Sequence, residues 1–448
     1  MTTVLTLLGA VALAACGSSR KADVPPVSTP AATITPPATT PAPAALPART
    51  TTTVVVPAGN GAAPFDVPRT LTVPAGTVVT AWARIDGARF TTWTPEGDLL
   101  VSTPRSGAVR LVRSNGGANP TISTLLNGLS LPQGMAFDTI DGVTYLYVIE
   151  NGQLNRFVWN NGNVGTRVVL IKDLPGRSAP FDHPLKTVVV GSDHTIYLDV
   201  GSSSNADPAD RNKGQALIAS YRPDGTGRQV LTIGVRNGDG LAFDPNGQLW
   251  TAVNERDRVT YPIHGPFGGQ ADAYGKFLQE YGNDHPSDQI AKVIPGRDLG
   301  WPYCDPDQDL STGSDRFGAM QFRRNTDTNP DGRALDCATL TPVERGLQAH
   351  SAPLGLEFLG TSKIAAPWRD GAVVATHGSN NHVPPLPGSV LWMHYENGTL
   401  GPAQDLLTGF VSGDDRWGRP VDATAGGDGA LYVTDDTAGV VYRVTLGS

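Results

Sequence analysis

Arg236 and Asn237 stand immediately before an apolar hairpin, and Asn254, Glu255, Arg256 and Asp257 follow it, in the stretch GVRNGDGLAFDPNGQLWTAVNERD from Gly234 to Asp257. Only 17% of the chain is charged, so this many ionic and amide groups at the two ends of one hairpin is a concentration. Guanidinium groups hold carboxylates and other anions in a fixed fork. His183 begins another such unit, HPLKTVVVGSDHTIYLDV, and an imidazole exchanges protons near neutrality. Arg419 begins a third, RPVDATAGGDGALYVTDD. Residue types suited to anion binding and proton transfer therefore recur where apolar strands begin.

A repeat must position them. From about Phe65 onward, helical signals are nearly absent, and short apolar strands alternate with Asp-Gly, Asn-Gly or Pro turns. The pattern of strand, turn and strand ending in polar residues begins at Ala88, Gln133, His183, Asp239, Pro353 and Arg419. Units of about 40 to 50 residues in an all-β chain predict a β-propeller, and six units predict six blades. The innermost strands of a propeller line a channel, so polar residues at their ends gather at one mouth. The long gap between the fourth and fifth units predicts an insertion over about Arg258 to Ala349.

The chain of 448 residues has a formal net charge of −8, with Lys and Arg scattered, so nucleic acid is not an expected partner. Its first residues, MTTVLTLLGAVALAACGSSRK, hold an apolar run too short to span a bilayer. They resemble a bacterial lipoprotein signal over 1–16, with Leu13–Cys16 as the lipobox and Cys16 as the lipidated residue, so membrane contact is expected through this anchor alone. Residues 17–64, rich in Pro, Thr and Ala, read as a disordered linker. Residues 65–448 form the propeller domain. Cys304 and Cys337 are the cysteines left after Cys16, and an exported chain favours pairing them, with two unpaired buried thiols as the alternative.

Several motifs, in order, carry a resemblance: DVGSSSN after the His183 strand, RNGDGLAF with LWTAVNERD, LGWPYC at Leu299–Cys304, AHSAPLGLEF from Ala349, VATHGS ending at Ser379, and GRPV with GALYVTDD. From about Leu71 to its end the chain resembles the soluble glucose/sorbosone dehydrogenases, six-bladed propellers that use pyrroloquinoline quinone (PQQ). It is most similar to the sorbosone branch, itself similar to the fungal PQQ-dependent pyranose dehydrogenases. The resemblance implies a quinoprotein that passes hydride from an aldose, or from a sorbosone-like aldehyde, to PQQ, with electrons leaving for an external acceptor.

By the same resemblance, His183 is the general base and Arg236 faces the quinone oxygens. Asn237, Arg419 and Ser379 help to hold the cofactor, and calcium sits against PQQ on Asn254, Glu255 and Arg256. His350 and Ser202 fall on the substrate side. Ser202 stands where glucose-oxidising relatives carry an aspartate, Val421 replaces a second arginine, and Ser379 or Asn380 stands near a lysine position. Two other readings stay open. One is a calcium-dependent lactonase-like hydrolase, and the other a non-enzymatic propeller that binds carbohydrate or a partner at the same mouth.

Overall fold

The computed structural model describes residues 46–116, 119–176 and 183–447. The expected signal, Cys16 and the linker up to residue 45 lie outside the described residues. Six sheets make up the body, antiparallel except where Arg297–Asp298 adds in parallel to the outer strand of blade 3. Blade 1 runs from its inner strand Thr91–Trp93 through Leu99–Thr103 and Ala108–Arg113 to Thr121–Leu126. The inner strands of blades 2 to 5 are Met135–Ile140, Val188–Val190, Gly240–Phe243 and Pro353–Phe358. Blade 6 takes Pro420–Ala425, Leu431–Asp435 and Val440–Thr445 from the C-terminal end and its outer strand, Val78–Arg84, from the N-terminal end. This last pairing closes the ring. Each inner strand touches those of the blades before and after it, and the circuit returns from blade 6 to blade 1.

Strand alternation explains why the ring holds. Successive side chains point to opposite faces, and in a propeller both faces are covered by a neighbouring blade. In the second strand of blade 1, Leu99 and Val101 pack toward Trp82 and Tyr432 of blade 6, whereas Leu100 packs toward Leu146 and Val148 of blade 2. In blade 4, Trp250 and Ala252 pack toward Phe358 and Val374 of blade 5, whereas Leu249 and Val253 meet Ile218 of blade 3. Each such fully buried side chain is worth about 1.5–3 kcal/mol, so these strands read as continuous apolar runs. Around the axis the backbones crowd: a Cβ on Gly240 would lie 2.3 Å from the Leu354 carbonyl oxygen of blade 5.

Two expectations are corrected. The linker was expected to reach residue 64, yet Arg49–Thr53 pairs antiparallel with Thr70–Pro74, and Val54 and Phe65 are buried. The insertion between the fourth and fifth units is not one loop. It is interrupted by Asp288–Lys292 and Arg345–Leu347, the third and fourth strands of blade 4. Between them project a hairpin, Cys304–Ser311 with Met320–Arg324, and the turn Cys337–Thr339, to which Cys304 is joined by a disulfide with Cys337.

Candidate active site

Because first and second strands are antiparallel, the residues before an inner strand and those after its partner meet at one mouth. All six blades supply the former: Arg89, Gln133, His183, Arg236 with Asn237, His350 and Arg419. The latter include Ser202 from blade 3, Asn254–Asp257 from blade 4, His377–Asn381 from blade 5 and Asp436 from blade 6. Most of them line a cavity of about 430 Å³. Its wall includes His183, Arg236, Asn237, Asn254, His350, Ser379 and Arg419, and also Arg89, Asp239, Asp257, His377 and Asn381.

His183 is held by blade 3. Its Nδ1 lies 2.9 Å from Ser202 Oγ and 3.2 Å from the Ser202 carbonyl oxygen, and Ser202 Oγ donates its own hydrogen to the Ser204 carbonyl at 2.7 Å. Both oxygens around Nδ1 can therefore only accept, so the proton sits on Nδ1 and Nε2 keeps its lone pair. Nε2 has no partner among the described residues. Burial, with the Arg236 charge second, pushes this imidazole down to about 3, so it is neutral at pH 7. The strand approaches closely here, since a Cβ on Gly201 would lie 2.6 Å from His183 Cβ.

Arg236, 5% exposed, is locked from three sides. Nε donates to the Asn205 carbonyl at 3.2 Å and Nη2 to Asn205 Oδ1 at 3.0 Å. Nη1 donates to the carbonyls of Asn254 at 3.2 Å and Glu255 at 2.9 Å. Of the five N–H groups of a guanidinium, one on Nη2 is left, and the nearest carboxylate oxygen, Asp257 Oδ2, is 3.9 Å from Nη2. Arg419 donates from Nε to the His377 carbonyl and from Nη2 to the Gly378 carbonyl, each at 2.8 Å. Arg89 donates to Gln133 Oε1 and pairs with Asp436 at 2.7 Å. Nη1 of Arg419 and Nη2 of Arg89 have no acceptor among the described residues.

The carboxylates are spoken for. Gln133 and Asn237 donate to the two oxygens of Asp239, and burial raises this carboxyl beside Asp199. Burial also works to raise Asp257, but the His350 hydrogen bond and Arg236 outweigh it and hold it below the ordinary range. Arg89 is offset by Asp436, which His377 and Arg89 hold ionised, so the wall sets Arg236 and Arg419 against one further ionised carboxylate, Asp257, and the cavity favours an anion.

One expected role, that of Ser202, is corrected, and the neighbouring side chains find their partners. His350, expected on the substrate side, lines the wall with Nδ1 facing Asp257 Oδ1 at 3.1 Å and Nε2 facing the Gly282 carbonyl at 2.5 Å. Two acceptors demand two protons, so His350 is an imidazolium that braces Asp257, and those bonds outweigh burial to raise its pKa. Ser202 is fully buried and orients His183 rather than touching the cavity. The Glu255 and Arg256 side chains turn away, to Gln289 and to Asp327, which leaves their backbone oxygens as what they offer a cation. Burial first, and the Asp305 charge second, push Glu255 up to about 8. Ser379 does line the wall, its Oγ accepting from the Asn381 amide at 3.0 Å.

The residues fit one implied cofactor better than the other. PQQ carries three carboxylates, and two partly unsatisfied guanidiniums with a third arginine suit it. The calcium position is different: the Asn254 and Glu255 carbonyls converge as a hard cation requires, but on Arg236 Nη1, which holds both. Calcium fits there only if Arg236 releases them.

Arg89, Asp257 and His377 were not assigned roles from sequence. His377 Nε2 meets Asp436 at 2.9 Å, which clamps Asp436 between it and Arg89. Arg89 stands in ARFTTW two residues before an inner strand, at the mouth end of its own unit, so the repeat itself carried the signal.

Comparison with known proteins places this arrangement. A calcium structure of the Trichoderma reesei carbohydrate-active enzyme of family AA12 superposes with a TM-score of 0.69 at 19% identity, covering 84% of this chain and 97% of that one. The holo PQQ domain of a pyranose dehydrogenase from Coprinopsis cinerea gives 0.67 at 20% identity, covering 84% and 97%. A PQQ-bound aldose sugar dehydrogenase from Streptomyces coelicolor gives 0.52 at 15% identity, covering 83% and 99%. These likenesses establish the fold. The TrAA12-like family matches residues 73–446, nearly the whole propeller, and the chain belongs to that family.

Proposed function

We propose that the protein is a PQQ-dependent oxidoreductase that dehydrogenates an aldose or a related aldehyde. The observation that carries this reading is the pairing, in one cavity, of a neutral imidazole with a free Nε2 and three guanidiniums from blades 1, 4 and 6. PQQ, when bound, supplies the two-electron acceptor for the hydride that leaves the sugar carbon. His183 Nε2 takes the hydroxyl proton of that carbon, and Ser202 fixes the ring so that this nitrogen faces the cavity. The remaining N–H of Arg236 would meet the charge that develops, and the free donors of Arg89 and Arg419 would hold the carboxylates. Asp257, braced by His350, keeps Arg236 in place. Calcium belongs to this reading at the Asn254 and Glu255 carbonyls, in exchange for Arg236 Nη1.

A hydrolase would need cavity oxygens free to hold a metal and its water. Asp239 and Asp257 are both committed to protein donors, which favours the dehydrogenase. The sequence reading of Leu13–Cys16 as a lipobox makes the enzyme exported and lipid-anchored, with electrons passing to an acceptor outside the cytoplasm.

His183→Gln tests the assignment. Sugar-dependent dye reduction should fall about 10²–10⁴-fold, the usual share of a general base, while PQQ binding persists. Full activity in that variant would remove His183 from the mechanism.

A further inference from the structure

Behind the active-site wall, on the insertion of blade 4, lies a second cluster that the proposed reaction does not use. We propose that His285, Asp307 and Asp309 form a site for a zinc-type divalent cation. One ligand atom from each of the three lies within 4.8 Å of the others. His285 Nε2 is 3.3 Å from Asp309 Oδ2 and 3.5 Å from Asp307 Oδ1. Charge-assisted hydrogen bonds are shorter, about 2.7–2.9 Å. A tetrahedral ion with bonds of about 2.0–2.1 Å spaces its ligand atoms about 3.3 Å apart, which matches.

The imidazole is prepared for metal. Its Nδ1 donates to the Tyr281 carbonyl at 3.1 Å, which leaves the lone pair on Nε2, the arrangement that supporting groups impose on metal-binding histidines. Nε2 is buried without a hydrogen-bond partner, and His285 is 6% exposed. The Tyr281 ring stacks on the imidazole at 4.0 Å and fixes its plane. Asp307 is buried, its Oδ2 bound by Arg323 Nε and its Oδ1 accepting from the Asp309 amide at 2.8 Å, so Oδ1 is fixed in place with a second lone pair left for the ion. A small cavity of about 10 Å³ lies against His285 and Asp307, and Asp305 lines it with a further unpartnered oxygen, Oδ1. That volume suits one small sphere. The Asp309 side chain is 59% exposed and gives the ion its path from solvent.

One imidazole nitrogen and two carboxylate oxygens select zinc, cobalt or nickel over calcium, which takes six to eight oxygens. The ion would tie the strand Cys304–Ser311 to the short helix Gln279–Gly282, near where Gly282 receives His350. It would act as a second clip beside the disulfide, independent of any cofactor in the channel.

The test uses the full-length protein, treated with chelator and returned to buffer with excess calcium, then titrated with zinc chloride against a zinc-binding dye. About one zinc should bind per chain, and the thermal midpoint should rise with it. Asp309→Asn, on the surface, and His285→Gln should each weaken binding at least tenfold, and the zinc-induced rise should vanish in Asp309→Asn. Absence of zinc uptake overturns the proposal. So does uptake that both substitutions leave unchanged, since that would place the zinc elsewhere.

Discussion

His183 Nδ1 lies 2.9 Å from Ser202 Oγ, and that hydroxyl spends its own hydrogen on Ser204. A hydroxyl so committed does the work of an orienting carboxylate without its charge. The base is thus held in the right tautomer while remaining hard to protonate. Ser202→Ala leaves the Ser202 carbonyl as an acceptor at 3.2 Å. Turnover should fall about tenfold with PQQ affinity unchanged, a smaller loss than in His183→Gln. Parallel measurement of kcat and cofactor binding separates the two variants.

The pH dependence of stability follows from the same imidazole. The folded value for His183, about 3, lies below its ordinary 6.5. The folded state therefore resists the proton that the unfolded chain accepts, and stability falls as pH drops from about 6.5 toward 3. Denaturant titrations should show His183→Gln losing less stability than the parent between pH 7 and pH 4.

Glu255 gives the opposite sign. Its folded value of about 8 lies above the ordinary 4.5, so its contribution is present at low pH and is lost as pH rises from about 4.5 through 8. Glu255→Gln keeps the acceptor for Gln289 and removes the titration. The variant should match the parent at pH 5 and melt at a higher temperature at pH 9.

Much of this site was legible because the repeat gave it addresses. His183, Arg236 and Arg419 each precede an inner strand, and the strand pattern announced those strands. Where the Glu255 side chain goes was hidden for a geometric reason: at a strand end consecutive side chains point to opposite faces, so Asn254 reaches the cavity while the Glu255 side chain turns into the protein. The bracing of Asp257 by His350 was hidden because the two acceptors of His350, Asp257 and Gly282, are 93 and 68 residues away in sequence. The strand Arg49–Thr53 was hidden because RTTTT has no apolar alternation and gains its pairing from Thr70–Pro74. Asp288–Lys292 and Arg345–Leu347 were hidden by the long excursions around them.

Gly201 supplies a steric test of the base. An added Cβ would lie 2.6 Å from His183 Cβ and 3.0 Å from its carbonyl oxygen. Gly201→Ala must push His183 out of place, so turnover should drop by about 10²-fold, the cost of a misplaced catalytic group. Circular dichroism should report an intact sheet.

Arg419 separates binding from chemistry. Its Nη1 is free for a carboxylate, whereas its other donors pin the His377–Gly378 turn. Arg419→Lys should weaken PQQ about tenfold, ~1.4 kcal/mol, because an ammonium cannot serve both tasks. The turnover of the saturated enzyme should change little.

Titration of the chelator-treated protein with PQQ and calcium, read by the cofactor's absorbance and then by its bleaching with a panel of aldoses, tests the central claim most directly. The account predicts PQQ binding that calcium tightens, followed by bleaching with at least one sugar. PQQ that fails to bind with calcium present, or that binds and is never bleached by any aldose or aldehyde, would contradict it.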